Sequence, residues 1–307
     1  MRRVVLSSAL ALALGACASQ HGQLAGDTFE ARKKLVRELE RRGEWTPAFA
    51  YVDNLHRERP RDAETLVLRG NIYRERGMWP ESEADYVAAL KIDDESAEAH
   101  SALGILYDVS FRPALAETQH RTAVRLAPDN PTYLNNLGFS LFLRGKHREA
   151  IEQYEKAASL DPTSRRVRTN LGFAFAATGD LRRAAREFEM GGTSAEAKNN
   201  LGFAYERRGD MQHAYALYVE AATLDPKSTR ARSNLVHAAQ ALGREVPAAL
   251  AAEPAVEVVV PAKVDTTPVA AKDVDANPVA APFGPPAPAT AGPAVPSTPT
   301  HSKDVRP

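Results

Sequence analysis

One short phrase recurs in this 307-residue chain, and its spacing constrains the fold more than any other feature. Asn-Asn-Leu-Gly-Phe stands at 135–139 and again at 199–203, and Asn-Leu-Gly-Phe stands between them at 170–173. The spacing predicts a repeat of about 34 residues. Self-similarity at such a period is typical of proteins in which one supersecondary unit is stacked on the next.

Setting position 1 of the repeat at Phe29 divides the chain without gaps. The six full repeats are 29–62, 63–96, 97–130, 131–164, 165–194 and 195–228, and a partial repeat covers 229–244. This register places the two tryptophans of the chain, Trp45 and Trp79, at position 17, and it places Gly43 and Gly77 at position 15. These two repeats match the repeat pattern described below least well, so their agreement at two positions supports the register.

Two repeats show the pattern most fully. In the fourth repeat it comprises Leu137, Gly138, Leu141, Ala150, Tyr154, Ala157 and Pro162, and in the sixth Leu201, Gly202, Tyr205, Ala214, Tyr218, Ala221 and Pro226. This pattern resembles the tetratricopeptide repeat (TPR) over 29–244. The resemblance implies an all-α superhelical solenoid of six helix–turn–helix repeats with a capping helix over 229–244.

The residue types suit helix packing. Small residues at positions 8, 20 and 27 allow helices to cross closely, and the larger residues at 7, 11 and 24 fill the space beside those crossings. Glycine at position 15 suits a left-handed turn after the first helix, and proline at position 32 ends the second helix. Because one repeat cannot bury its own apolar faces, neighbouring repeats are expected to share a continuous core.

Two repeats depart from the pattern. Repeat 165–194 is four residues shorter than the others, and Gly191 and Gly192 are expected to end its second helix at Met190. Repeat 97–130 has Phe111 at the glycine position, with Pro113 soon after, which predicts an atypical turn.

The N-terminus has the features of a secretory signal rather than of a folded segment. Arg2 and Arg3 precede a short apolar stretch over 4–14, and small residues then lead to the single cysteine of the chain, Cys17. This arrangement predicts a signal peptide over 1–16. The apolar stretch is too short to be a membrane-spanning helix.

The tetrapeptide Leu-Gly-Ala-Cys that ends at Cys17 resembles the bacterial lipobox. The resemblance implies that the Cys17 thiol is diacylated and becomes the first residue of the mature protein, followed by a tether over 17–28. Ala18, where inner-membrane lipoproteins have aspartate, implies an outer-membrane lipoprotein facing the periplasm. The alternative is an ordinary signal peptide with an incidental cysteine.

The last segment, 245–307, is dominated by Pro, Ala, Val and Thr. Such a composition buries too little apolar surface to offset the loss of chain entropy, which predicts a disordered tail. The tail is either a spacer or ligand for a proline-binding module, or a segment without specific contacts.

The sequence offers no catalytic constellation. It has no histidine pair at helical spacing, no Gly-rich phosphate loop and no Gly-x-Ser-x-Gly elbow. The 39 basic and 39 acidic residues balance, which removes the usual electrostatic reason to expect nucleic acid as a partner. We therefore expect a protein that is not an enzyme, holds no metal or cofactor, and binds other proteins.

The first helix of each TPR lines a concave groove in the family that this chain resembles. Position 6 of this helix is asparagine in four repeats and position 9 is phenylalanine in three, which gives the candidate peptide-binding set Asn136, Asn170, Asn200, Asn234, Phe139, Phe173 and Phe203. An asparagine side chain offers a donor and an acceptor that match those of a peptide unit. The alternative is structural: the asparagines bridge neighbouring helices and the rings pack between them.

Taken together, the lipobox, the repeats, the Asn-Asn-Leu-Gly-Phe phrases and the short Gly-Gly repeat resemble the TPR lipoprotein of the tight-adherence (Flp-type) pilus assembly system. The resemblance implies an adaptor at the outer membrane that binds pilus or secretion components, such as a secretin. Two alternatives are a pilotin-like lipoprotein of type IV pili and a scaffold for cell-wall hydrolases.

Overall fold

Helices form pairs within the predicted repeats in the computed structural model, which describes residues 28–251. The helices are α1 (28–41), α2 (Trp45–Glu58), α3 (Ala63–Glu75), α4 (Trp79–Ile92), α5 (Ala97–Val109), α6 (Pro113–Leu126), α7 (Pro131–Leu143), α8 (His147–Leu160), α9 (Arg165–Thr178), α10 (Leu181–Gly191), α11 (Ser194–Arg207), α12 (Met211–Leu224), α13 (Thr229–Ala241) and α14 (Ala248–Ala251). No strand occurs in this part of the chain. The predicted all-α TPR solenoid is therefore confirmed.

Several predictions concern residues that the structure does not describe. The signal peptide over 1–16, the lipid attachment at Cys17, the tether as far as residue 27 and the tail after Ala251 lie outside the described residues. They remain predictions.

The first helix of each repeat after the first begins at a capping side chain. An oxygen of this side chain accepts a hydrogen bond from a backbone amide in the first turn, at Asp62, Ser96, Asn130, Ser164, Thr193 and Ser228. Such caps satisfy amides that have no partner within the helix and fix where each helix starts.

The turn between the two helices of a repeat has a left-handed residue at position 15. Glycine occupies it with φ between 62° and 94° at Gly43, Gly77, Gly145, Gly179, Gly209 and Gly243. Phe111 adopts the same conformation, with φ 57°. The turn predicted to be atypical therefore keeps the usual shape, although a side chain with a Cβ is disfavoured there by about 1–2 kcal/mol.

The glycine at position 8 lies directly beneath the ring at position 24. A Cβ added to this glycine would come within 2.5–2.8 Å of the ring in the pairs Gly70–Tyr86, Gly104–His120, Gly138–Tyr154, Gly172–Phe188 and Gly202–Tyr218. Because real Cβ atoms do not approach ring carbons so closely, the ring fits only when position 8 has no side chain. This contact holds the two helices together in repeats two to six, whereas the first repeat has Val36 and Val52 at these positions.

Repeats that depart from the sequence pattern have buried polar pairs where the other repeats have apolar contacts. Arg69 stands where other repeats have leucine, and its guanidinium donates two hydrogen bonds of 2.7 Å to the carboxylate of Asp85. His120 stands where repeats two, four, five and six have Tyr or Phe, and its Nε2 lies 3.0 Å from Oδ2 of Asp108. These pairs explain why the repeats around them match the sequence pattern poorly and still stack.

Packing continues beyond the array boundary predicted at residue 244. Val246 and Leu250 pack against the apolar cluster of α12 and α13, and the Tyr215 hydroxyl donates to the carbonyl oxygen of Glu245 at 3.2 Å. The predicted start of the disordered tail at residue 245 is therefore too early. The physical reason is that α13 alone leaves part of the α12 surface uncovered.

Candidate functional site

The first helices of successive repeats line a concave groove of about 1320 Å³ that runs from Arg37 in α1 to Asn234 in α13. All seven candidate residues line this groove: Asn136, Asn170, Asn200, Asn234, Phe139, Phe173 and Phe203. The structure therefore brings the predicted set together on one surface.

Three of the four asparagines bridge neighbouring helices. The Nδ2 atom of Asn170 donates to Oδ1 of Asn135 at 2.9 Å, and that of Asn234 donates to Oδ1 of Asn199 at 2.9 Å. Asn136 donates in the same way to the Ser101 hydroxyl at 3.2 Å. Each bond joins position 6 of one first helix to position 5 of the preceding first helix, so these asparagines hold repeats together.

Sequence reasoning missed the acceptors of these bonds. Asn135 and Asn199 are the first asparagines of the two Asn-Asn-Leu-Gly-Phe phrases, and both are buried. The two consecutive asparagines in each phrase were the sequence signal for these bonds, because a donor at position 6 needs an acceptor at position 5 of the adjacent helix.

Asn200 differs from the other three asparagines. Its side chain is half-buried and makes no hydrogen bond or ion pair within residues 28–251. The residue that would accept its bond is Thr169, whose Oγ1 lies 3.0 Å from the position that a Cβ of Gly191 would take. Thr169 therefore packs against the end of α10, and the amide of Asn200 is left open to the groove.

The short second helix of repeat five accounts for this difference. α10 ends at Gly191, which has no side chain and so lies close to Thr169 and Arg168 of α9. The Nε of Arg165 donates to the carbonyl oxygen of Gly191 at 3.2 Å and fixes the end of the helix. Because this repeat is four residues shorter than the others, α11 packs differently against α9 than the corresponding first helices do elsewhere.

The three phenylalanines are half-buried, so each ring contacts both the core and the groove. The ring of Phe173 lies 4.8 Å from that of Phe188 and 6.0 Å from that of Phe203, both edge to face. Phe203 is one helical turn after Asn200 on α11, which places the two side chains on one face. Asn200, Phe173 and Phe203 form one group, which we call the amide–ring group.

The N-terminal end of the groove is charged. The Arg37 guanidinium donates to Glu64 at 2.8 Å and to Glu98 at 2.7 Å, and so connects α1 with α3 and α5. Burial raises the pKa of the Glu40 carboxyl to about 8, so this group is mostly protonated at neutral pH. The Arg37 charge is thus paired with carboxylates of the chain, whereas the side-chain amide of Asn200 has no partner within residues 28–251.

The geometry predicts different roles for two neighbouring asparagines. Asn170→Ala removes the bridge to the buried Asn135 and is expected to lower the free energy of unfolding by about 1 kcal/mol. Asn200→Ala removes no bond within the chain and is expected to change it by less than about 0.5 kcal/mol. Urea denaturation of both variants measures the difference, and equal losses would contradict it.

Two further findings concern the described residues. No helix between residues 28 and 251 is sufficiently long and apolar to cross a bilayer. The same region contains no cluster of His, Cys, Asp and Glu suited to a metal ion.

The fold and the repeat pattern define a TPR solenoid, and comparison with protein families agrees. A model described as TPR repeat matches residues 70–108 and 140–179, and one described as Tetratricopeptide repeat matches 195–228. The predicted presence of TPR repeats is therefore confirmed.

Two curated relatives come from Pseudomonas aeruginosa. The chain is 32% identical to the Type IV pilus assembly protein PilF over 97 residues, which is 32% of this chain and 38% of PilF. It is 29% identical to the TPR repeat-containing protein PA4299 over 153 residues, which is 47% of this chain and 60% of that protein. The chain thus spans less than two thirds of either relative.

Solved structures share the fold. PilW, described as a widely conserved type IV pilus biogenesis factor, superposes with a TM-score of 0.59 at 18% identity, over 68% of this chain and 98% of PilW. PilF of Pseudomonas aeruginosa superposes with a TM-score of 0.56 at 17% identity, over 69% of this chain and 98% of PilF. The chain is therefore similar in fold and, through PilF, in sequence to TPR proteins of pilus biogenesis.

Proposed function

We propose that this protein is a non-catalytic adaptor that binds an extended segment of another protein in its concave groove during pilus assembly. The observation that carries the proposal is the unpaired amide of Asn200 beside the rings of Phe173 and Phe203. An extended peptide has an unpaired N–H and C=O at each residue, and one asparagine amide can satisfy both. The adjacent rings offer apolar surface to a side chain of the same peptide.

The curated relative PilF supports a role in pilus assembly, since its name places that protein in this process. The finer assignment rests on the Asn-Asn-Leu-Gly-Phe phrases and the Gly191-Gly192 joint, which resemble the tight-adherence pilus lipoprotein. In this role the protein is anchored by acylated Cys17 at the outer membrane, faces the periplasm and binds a secretin or another secretion component. The similarity to PilF favours a second candidate, a pilotin-like lipoprotein of type IV pili.

Site-specific photocrosslinking in cells tests the adaptor proposal. A photoreactive residue at Arg230, which is exposed and lines the groove, is expected to capture a pilus secretion component. The same residue at Glu152, exposed on the second helix α8, serves as the matched control. Adding Asn200→Ala and Phe203→Ala should reduce capture from Arg230 at least tenfold, because a hydrogen bond and a ring contact are each worth about 1 kcal/mol.

Three outcomes count against the groove as the binding site. They are the same products from Arg230 and Glu152, capture that survives loss of the amide–ring group, and loss of capture by Asn200→Ala alone together with a lowered melting temperature. The last outcome would assign Asn200 a structural role.

Replacing Cys17 tests the lipid anchor separately. Cys17→Ser is expected to abolish labelling by an alkyne-tagged fatty acid and to remove the protein from the outer-membrane fraction. A multiply acylated cysteine binds the bilayer firmly because each buried methylene contributes about 0.8 kcal/mol. Ser19→Ala is the control and should retain the label; a labelled Cys17→Ser protein would refute the lipobox interpretation.

A further inference from the structure

Phe111 combines a disfavoured backbone with an exposed ring. It has φ 57° where the equivalent turn residues in the described chain are glycine, and its side chain is 88% exposed. The ring therefore gains no burial that would offset the backbone strain. An unrelieved outlier of this kind indicates a role outside the folding of the chain itself.

Other exposed apolar side chains lie at the turns and helix starts of repeats two and three. Met78, Trp79 and Leu115 are 37%, 42% and 46% exposed. Arg112, next to Phe111, donates to Glu83 at 2.6 Å, and Glu83 lies one helical turn after Trp79 on α4. This ion pair connects the turn of repeat three with the N-terminal half of α4, so these residues lie on the same edge of the array. We call this edge the Phe111 rim, formed by 76–79, 110–115 and 144–146.

The Phe111 rim is also positively charged. It carries Arg76, Arg112, Arg144 and Lys146 and no carboxylate of its own. Arg112 is paired with Glu83, and Arg144 and Lys146 share the carboxylate of Glu117 with Arg121, which also pairs with Glu149. The four cations of the rim thus exceed the carboxylates that pair with them.

The opposite edge of the same repeats has the complementary character. We call it the Asp93 rim, formed by 92–96, 127–130 and 160–164, and it contains no Lys or Arg. The exposed carboxylates of Asp93, Asp94, Glu95 and Asp129 form no ion pair within residues 28–251. Ile92 and Leu160, each 45% exposed, add apolar surface. The two rims are separated by the length of one helix, roughly 20 Å.

We propose that the Phe111 rim of one copy of this chain docks on the Asp93 rim of a second copy. The charges are opposite, and both rims offer apolar side chains that association would remove from water. Both rims belong to repeats two to four. Their charged and apolar side chains therefore recur at the same spacing, so that several side chains of one rim face complementary side chains of the other in a single docked arrangement. Since the two surfaces differ, the contact is heterologous and produces a row of copies unless it closes into a ring.

Sedimentation velocity on the full chain in mild detergent tests this association. The parent protein is expected to associate with increasing concentration and to dissociate as salt is added. Phe111→Gly should weaken association at least tenfold while raising the melting temperature by about 2–4 °C, because glycine relieves the strained turn. Leu224→Ala removes another exposed apolar side chain (56%), outside both rims, and should change neither quantity.

Mixing two rim variants distinguishes the predicted contact from any other. One variant carries Phe111→Gly with Arg76→Glu, and the other carries Asp93→Lys with Asp94→Lys. Each alone should remain monomeric, whereas the equimolar mixture should form a one-to-one dimer through the two intact rims.

A parent protein that stays monomeric at all concentrations would overturn the proposal. So would a dimer formed by either variant alone, since that requires an isologous contact. A monomeric parent that binds phosphatidylglycerol vesicles, and loses binding with Phe111→Gly, would assign the rim to a membrane surface.

Discussion

Gly172→Leu is expected to lower the free energy of unfolding by about 3 kcal/mol, at the upper end of what overpacking costs. The ring of Phe188 lies 2.5 Å from where the first side-chain atom would be placed, and both residues are buried. The ring cannot move aside, because it also contacts Phe173 at 4.8 Å. The helix pair must therefore separate.

Two further leucine variants test whether the close approach of Gly172 to the Phe188 ring causes this loss of stability. Ala214→Leu places the same side chain at another fully buried position and should be similarly damaging. Glu152→Leu places it on an exposed face of α8 and should change stability by less than about 0.5 kcal/mol. Denaturant unfolding of the three proteins gives the comparison. If Gly172→Leu and Glu152→Leu unfold at the same midpoint, the repeat register is wrong.

Arg69→Ala is the second substitution with a large expected effect. The Arg69–Asp85 pair has two hydrogen bonds of 2.7 Å, and the two side chains are only 15% and 9% exposed. Removing the guanidinium leaves a buried carboxylate without its counter-charge, which typically destabilises by about 3–5 kcal/mol. The double substitution Arg69→Met with Asp85→Leu restores an apolar contact and should be close to the parent protein.

An exposed ion pair provides the control for Arg69. Arg41→Ala breaks the pair with Glu38, whose partners are 57% and 33% exposed, and should cost no more than about 1 kcal/mol. Calorimetric melting of the four proteins measures the contrast. The interpretation fails if Arg69→Ala is no more damaging than Arg41→Ala, or if the double variant is as unstable as the single one.

The sequence by itself determined the fold because the residues that shape each repeat act locally. Gly138 and Tyr154 meet within one repeat, so their spacing along the chain already encodes the contact. Cap and turn residues such as Ser164 and Gly179 act through neighbouring backbone groups and need no distant partner. Local rules of this kind predicted the helix pairs, the short repeat and the shared groove wall.

Only the tertiary structure decided which groups remain unpaired. Asn170 and Asn200 occupy the same repeat position, yet one bonds Asn135 and the other has no partner within residues 28–251. The difference depends on how α9 and α11 are placed, which the early end of α10 at Gly191 sets. Likewise, a position-by-position pattern treats Arg69 and Phe111 alike, as departures from the consensus. One is a buried ion pair and the other an exposed ring, because burial and pairing depend on atoms contributed by distant parts of the chain.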